Sequence, residues 1–417
     1  MKKTLSLMLV LALMLALLAG CGGTSTDTGS NAADGAAPAD TADAPADAAP
    51  ADGGDAPSDT ANAGGAAFKL GGTGPLTGGA AIYGNAAKNG AQIAVDEINA
   101  MGGIQFELRY EDDTHDAEKA VNAYNTLKDW GMQLSLGSVT SAPCNATATE
   151  TYADRIFALT PSASAPTVIE GKDNMFQMCF LDYPTQGGAS AQYISDMGLG
   201  EKIAVIWKND EDYSTGLRNS FMDKADELGL NVVSETTFTS ETKDFTVQLT
   251  EAQNAGADLV FLPMYYEPAS LIFAQASAMG FAPKWFGVDG MDGILTMDGF
   301  DPSMAEGVML LTPFNADSSD AATVAFVGKY QELYGETPNQ FAADAYDCVY
   351  AYKQALEAAG ATADMSASEL CDLMISQFTS MTFNGLTGTG MTWDATGAVS
   401  KGAHGCVIKD GAYVGLD

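Results

Sequence analysis

Loops rich in small hydroxyl residues, a set of tyrosines and a lone aspartate are the residues of this 417-residue chain best suited to holding a ligand. The hydroxyls lie in Thr73-Gly74-Pro75-Leu76-Thr77-Gly78, with Tyr83 just beyond, in Ser138-Val139-Thr140-Ser141, and in Pro161-Ser162-Ala163-Ser164. The others come from Asn209 through Tyr213, from Met264-Tyr265-Tyr266-Glu267, and from Asp289-Gly290. Hydroxyls donate and accept hydrogen bonds without charge, tyrosines give an apolar wall with a polar tip, and a carboxylate holds a cation through charge-assisted bonds. This equipment suits the capture of a small polar molecule. Bond-breaking chemistry has little to work with. His115 and His404 are the two histidines, far apart in sequence, and neither an H-E-x-x-H nor a G-x-S-x-G motif occurs. Hydrolysis by carboxylates alone is the one catalytic class that counting leaves open. The Gly72-Thr73-Gly74 turn lacks a third glycine at nucleotide-binding spacing, which makes it a backbone turn and not a phosphate cradle. No enzyme, cofactor or metal site is expected.

Each of those loops follows a β-rich run. Strands are predicted at 69–72, 107–111, 133–137, 156–160, 202–207, 231–237, 258–263, 285–288 and 307–312, and amphipathic helical patterns separate most of them. In the first helix Ala87, Ala91, Ala94, Val95 and Ile98 share a face, and Gly102 and Gly103 close it. Glycines recur at 131, 198, 229, 256, 280, 335 and 360, where a left-handed cap would turn each helix into the next strand. Alternation of this kind predicts an α/β fold of parallel sheets with crossover helices. A second run of such units, starting at Lys202, repeats the pattern of the first and predicts two Rossmann-like lobes. In open parallel sheets ligands sit beyond the carboxyl ends of the strands, so the hydroxyl loops of one lobe would face the tyrosines and carboxylate of the other.

The N-terminus carries an address. Lys2 and Lys3 precede an apolar run over 5–18, the charge and length of a signal peptide and too short to span a membrane. It ends in Leu17-Leu18-Ala19-Gly20-Cys21, which resembles the lipobox of bacterial lipoproteins. The resemblance implies removal of residues 1–20 and lipidation of Cys21; an ordinary secretory signal with an incidental cysteine is the alternative. Residues 22–67 contain no Lys or Arg and are dominated by Ala, Asp, Pro, Gly, Ser and Thr, a composition that cannot bury enough surface to order itself. They read as a tether whose aspartates keep it extended. A net charge of −35 excludes a nucleic-acid partner, whose phosphates require Lys and Arg. Beyond Cys21, Cys144, Cys179, Cys348, Cys371 and Cys406 remain, with no C-x-x-C pair, so a zinc site is not expected. An exported chain permits disulfides. Cys348 with Cys371 and Cys144 with Cys179 are the candidate pairs; small buried thiols are the alternative.

The folded part resembles the branched-chain amino acid binding proteins, the type I periplasmic binding proteins also called leucine/isoleucine/valine-binding proteins. The resemblance rests on GPLTGGAAIYG, GAQIAVDEINAMGGI, the 138–141 loop, TPSASAPTV, the 182–187 turn and LTGTGMTWDATGAVSKG, in that order. It implies that the positions of Ser141, Ser162 and Ser164 hold an amino acid's carboxylate and ammonium. Ser141 would open a helix, where free N–H groups and the macrodipole favour an anion, and capping that helix is its alternative role. The resemblance also implies that Asp289 meets the ligand ammonium, where a solvated loop aspartate is the alternative, and that Tyr83, Tyr213 and Tyr265 line the side-chain pocket. Trp207 is equally a core residue, and Asp210, Glu211 and Asp212 are either a solvated face or the means of admitting a polar ligand. A disulfide known in some members would join the positions of His115 and Thr140, and neither is cysteine here.

By the family's chain crossings, one lobe would comprise residues 68–181 and 313–390 and the other 182–312 and 391–417, joined by a three-stranded hinge. Hinge closure on an amino acid, aliphatic by family weight, and delivery to the permease of an ABC transporter are the implied function. A monomer held outside the cell membrane by its lipid is the implied form. The alternative is a sensory protein for an amino acid, amide or small carboxylate, acting through a membrane receptor.

Overall fold

The computed structural model describes residues 66–180 and 185–416. The signal segment, Cys21 and nearly all of the tether lie outside the described residues. The first sheet is built from β1 (Phe68–Gly74), β2 (Phe106–Asp112), β3 (Leu134–Ser138), β4 (Phe157–Thr160) and β5 (Met175–Gln177), all parallel, in the order β2-β1-β3-β4-β5. Between them run α1 (Ala81–Met101), α2 (Ala117–Trp130) and α3 (Ser141–Asp154). After α4 (Gly187–Asp196) come β6 (Ile203–Lys208), α5 (Asp212–Leu228), β7 (Val232–Phe238), α6 (Thr246–Asn254), β8 (Leu259–Phe261), α7 (Tyr266–Met279), β9 (Lys284–Phe286) and β10 (Met309–Thr312). The chain then forms α8 (Ala321–Tyr334), α9 (Gln340–Ala359) and α10 (Ala367–Phe378), and ends in the hairpin β11 (His404–Lys409) and β12 (Ala412–Gly415). The second sheet has the order β12-β11-β10-β9-β8-β6-β7, parallel throughout except for β11, which is antiparallel to both β10 and β12.

Glycines 131, 198, 229, 256, 280, 335 and 360 all take positive φ at or just past helix ends, as their spacing predicts. The predicted face of α1 is buried, with Ala87, Ala91, Ala94 and Ile98 at 0 % exposure. It packs so closely on α9 that a Cβ at Gly90 would overlap the Ala342 carbonyl. The sheet of β1–β5 therefore recruits α9 and α10 from far along the chain.

Two expectations need correction. Cys144, Cys348 and Cys371 carry free thiols, so neither candidate disulfide forms. All three are at 0 % exposure in apolar clusters, where they pack as small hydrophobic side chains. Burial pushes the Cys144 and Cys371 thiols up to about 12 and that of Cys348 well above its ordinary value, which also leaves them inert to oxidation. The segment after Gly390, expected with the second lobe, bonds to the first sheet instead. The Trp393 indole N–H donates to the Gln177 carbonyl at 2.7 Å, and Gln177 N–H donates to the Gly397 carbonyl at 3.0 Å. Among the described residues no helix is long and apolar enough to cross a membrane.

Candidate functional site

Each sheet has a point where the chain reverses its direction of strand addition. In the first it lies between β1 and β3, whose neighbours β2 and β4 extend to opposite sides; in the second it lies between β6 and β8. Crevices open at such points beyond the strand ends. The loops after β1, β3, β6 and β8, with the loop after β4, carry the hydroxyls and tyrosines singled out by sequence.

Four of those residues meet directly. Asp289 follows β9 and is 3 % exposed. The Tyr213 hydroxyl, from the first turn of α5, donates to Asp289 Oδ1 at 2.5 Å and accepts from the Gly290 N–H at 2.9 Å. Tyr265 stacks on Tyr213 with ring centroids 4.5 Å apart, and Tyr83 from α1 packs on Tyr265 at 5.3 Å. The Tyr83 hydroxyl donates to the Gly290 carbonyl and accepts from the Tyr266 N–H at 3.2 Å. Gly290 is required here, since a Cβ would stand 2.5 Å from the Tyr213 oxygen and 2.7 Å from the Tyr265 ring. Burial pushes the Asp289 carboxyl up to about 6, and the Tyr213 hydrogen bond opposes that rise.

The serines form a second group at the ends of β3 and β4. Ser141 is the first residue of α3; Thr140 holds the N-cap position, and the Ser141 Oγ accepts from the Ala165 N–H at 3.2 Å rather than capping its own helix. The Ser162 hydroxyl donates to the Val139 carbonyl at 2.6 Å. Ser164 is at 0 % exposure and its Oγ has no hydrogen-bond partner. A buried hydroxyl left unpaired costs about 1–3 kcal/mol, which a ligand oxygen or ammonium would recover.

His115 joins the two groups, a part that composition and motif did not single out. Its Nδ1 bonds the Thr140 hydroxyl at 2.8 Å, its ring meets Tyr265 edge-on at 5.6 Å, and its Nε2 lies 3.3 Å from Glu211 Oε1. His115 and Thr140, the positions at which the resemblance implies a disulfide in other members, are thus joined by a hydrogen bond. A left-handed backbone at His115, φ 60°, aims the ring this way, and no sequence signal marks such strain in a non-glycine residue.

Gln186, in the 182–187 segment on which the resemblance partly rests, carries no residue-type signal of its own for the site. It is 1 % exposed, and its Oε1 accepts from the Asp289 N–H at 3.3 Å while its Nε2 has no partner. Of the acidic trio, Asp210 bonds Ser240 on the surface and Asp212 accepts from the Asn145 amide at 3.0 Å. Glu211 is the buried member, with one oxygen unpaired. Trp207 stands apart from the site, its indole bonded to Glu235 under the Arg218 guanidinium.

A family model described as periplasmic binding protein matches residues 67–411. The chain is 28 % identical over 298 residues to the Leu/Ile/Val-binding protein homolog 3 of Brucella melitensis, across 70 % of this chain and 79 % of that one. To the leucine-, isoleucine-, valine-, threonine- and alanine-binding protein of Pseudomonas aeruginosa it is 28 % identical over 295 residues, 69 % of this chain and 77 % of that one. Among solved structures it superposes on a leucine-binding protein of Thermotoga maritima with TM-score 0.76 and 28 % identity, covering 84 % of this chain and 98 % of the other. A branched-chain amino acid transporter substrate-binding protein of Streptococcus pneumoniae, in complex with isoleucine, gives TM-score 0.75 and 27 % identity over 84 % and 98 %.

Proposed function

The chain belongs to the periplasmic binding protein family, and from that premise we propose that it captures an aliphatic, branched-chain amino acid between two lobes and presents it to an ABC transporter. The family is one of binding proteins, not enzymes. The observation that carries the proposal is the buried Asp289 carboxylate, held by Tyr213 and in ion pair with no Lys, Arg or His among the described residues. A buried carboxylate calls for a cation, and the ammonium of an amino acid supplies one. Ser141 and Ser164 with the N-terminus of α3 would receive the carboxylate, and Ser162, bonded to the Val139 carbonyl, would help to shape that loop. Tyr83 and Tyr265 would wall the side chain.

The lobes in this proposal are residues 68–180 with 313–399 and residues 187–312 with 404–416, so that three crossings form the hinge. The hydrogen bonds of Tyr83 with Gly290 and Tyr266, and the approach of His115 Nε2 to Glu211, link the two lobes and favour the closed arrangement that a transporter would read. A lipid on Cys21 would keep the protein at the outer face of the membrane, with residues 22–67 as its tether. The transport role in the name of the S. pneumoniae protein favours delivery over sensing.

A thermal-shift screen of the purified full chain against the proteinogenic amino acids and a panel of small carboxylates and amides tests this directly, because a ligand that binds only the folded state raises its melting temperature. Leucine, isoleucine or valine at about a hundredfold over Kd should stabilise by ~2.7 kcal/mol. A shift with aromatic acids or amides alone would move the ligand class. Silence throughout would reject amino-acid capture.

A further inference from the structure

A cavity of about 590 Å³ opens beside the turn that carries Asp289, and Asp292 forms part of its wall. Ile82 of α1 and Val327 and Tyr330 of α8 line one side; Leu295 and Tyr413 line the other. Its volume lies within the range of small-molecule pockets. Its charged lining is one-signed. Asp292, Asp317 and Glu336 contribute carboxylates, and no Lys, Arg or His lines it. Their recorded partners are neutral donors: the Gln340 N–H at 2.8 Å on Asp292, the Gly415 N–H at 3.5 Å on Asp317 and the Tyr330 hydroxyl at 3.4 Å on Glu336. Burial, with the charge of Asp289 adding to it, pushes the Asp292 carboxyl up to about 7, as befits a carboxylate with no cation beside it.

The occupant follows from these walls. Asp292 is buried and Asp317 and Glu336 are exposed, and with no basic side chain among them the three carboxylates favour positive charge, while the Ile82, Leu295 and Val327 side chains with two tyrosine rings favour hydrocarbon. An inorganic ion does not fit, since among the described residues no three acidic, His or Cys groups converge closely enough to hold a metal. We propose that this cavity is a second ligand site, for an organic amine with a hydrocarbon body, and that its occupancy is coupled to the amino-acid site through the 289–292 turn.

The coupling is built on Gln340, the first residue of α9. Its side-chain amide donates to the Asp289 carbonyl at 2.7 Å and its N–H donates to Asp292 Oδ2 at 2.8 Å, so one residue clamps both ends of the turn. Asp289 faces Tyr213, and Asp292 faces the cavity. An amine that touches both walls favours the same closed arrangement as an amino acid in the cleft, and linkage makes the effect reciprocal.

Isothermal titration of the full chain with hexylamine, with and without saturating leucine, decides the matter. Hexylamine is expected to bind at one equivalent, about threefold tighter with leucine present. The pair Asp317→Asn and Glu336→Gln together should weaken it about tenfold, the loss of charge-assisted contacts. Val327→Trp, which fills the cavity, should abolish it and leave leucine affinity unchanged. Melting temperatures of both variants near that of the wild type secure their folding. The site is overturned if hexanol binds as well as hexylamine, if leucine displaces the amine, or if Val327→Trp leaves amine binding intact. Equal amine affinity with and without leucine overturns the coupling. Failure of leucine to bind at all would count against the proposed function, while the leucine-free titration would still test the cavity.

Discussion

In the proposed function, the Asp289 carboxyl is the group on which recognition would turn. Burial disfavours its charged form and raises its value to about 6, so it is half protonated near that pH. An ammonium ion binds the charged form. Above about pH 7 no proton need be lost, so affinity should be flat; below about pH 5 the carboxyl must first deprotonate, and affinity should fall roughly tenfold per unit. Asp289→Asn should weaken leucine binding at neutral pH by at least about tenfold, equivalent to ~1.5–3 kcal/mol, and should flatten the profile. Calorimetry at several pH values checks both arms, and a wild-type profile that stays flat to pH 5 would remove Asp289 from contact with the ammonium.

At the level of elements, the chain crossing before β11 is nailed to α9. Lys401 Nζ lies 2.5 Å from Asp344 Oδ1, and the two side chains are 0 % and 1 % exposed. Asp347, one turn further along α9, is also buried; it accepts from the Leu386 and Thr387 N–H groups and from the Thr387 hydroxyl. Removing one partner of a buried pair leaves an uncompensated charge. Lys401→Met should therefore destabilise the protein by about 3–5 kcal/mol, and the double change with Asp344→Leu should recover much of that. Urea unfolding of the three proteins reads it; a single variant as stable as the wild type would show that the pair is dispensable. The elements that sequence pattern missed are instructive beside this. β5 has three residues, and β11 and β12 form an antiparallel hairpin turned by Asp410 and Gly411 at positive φ. The βα alternation that located the other strands has no term for either.

For the whole molecule, the proposed lipid on Cys21 and the tether behind it would set where the ligand is gathered. Cys21→Ser should release the protein from membranes into the soluble fraction with leucine binding unchanged. Fractionation of expressing cells measures this, and retention in the membrane pellet would reject lipidation. Cys144, Cys348 and Cys371 take no share in cohesion by disulfides, and the core of two lobes this large buries enough apolar surface without them.

The sequence by itself determined the α/β class, the two sheets, most strand positions and the glycine caps, because these depend on local periodicity and on backbone conformations that few residues tolerate. It also located Tyr83, Tyr213, Tyr265 and Asp289, since strand ends fall where hydrophobic runs stop. Only the tertiary structure decided that these four touch, that His115 and Gln186 join them, that Cys348 and Cys371 stay apart and that residues 391–399 lie on the first sheet. Such facts rest on contacts between residues up to 216 positions apart, as in the bond from Trp393 to Gln177. Pairings of that range are set by how whole faces pack, and no local pattern encodes them.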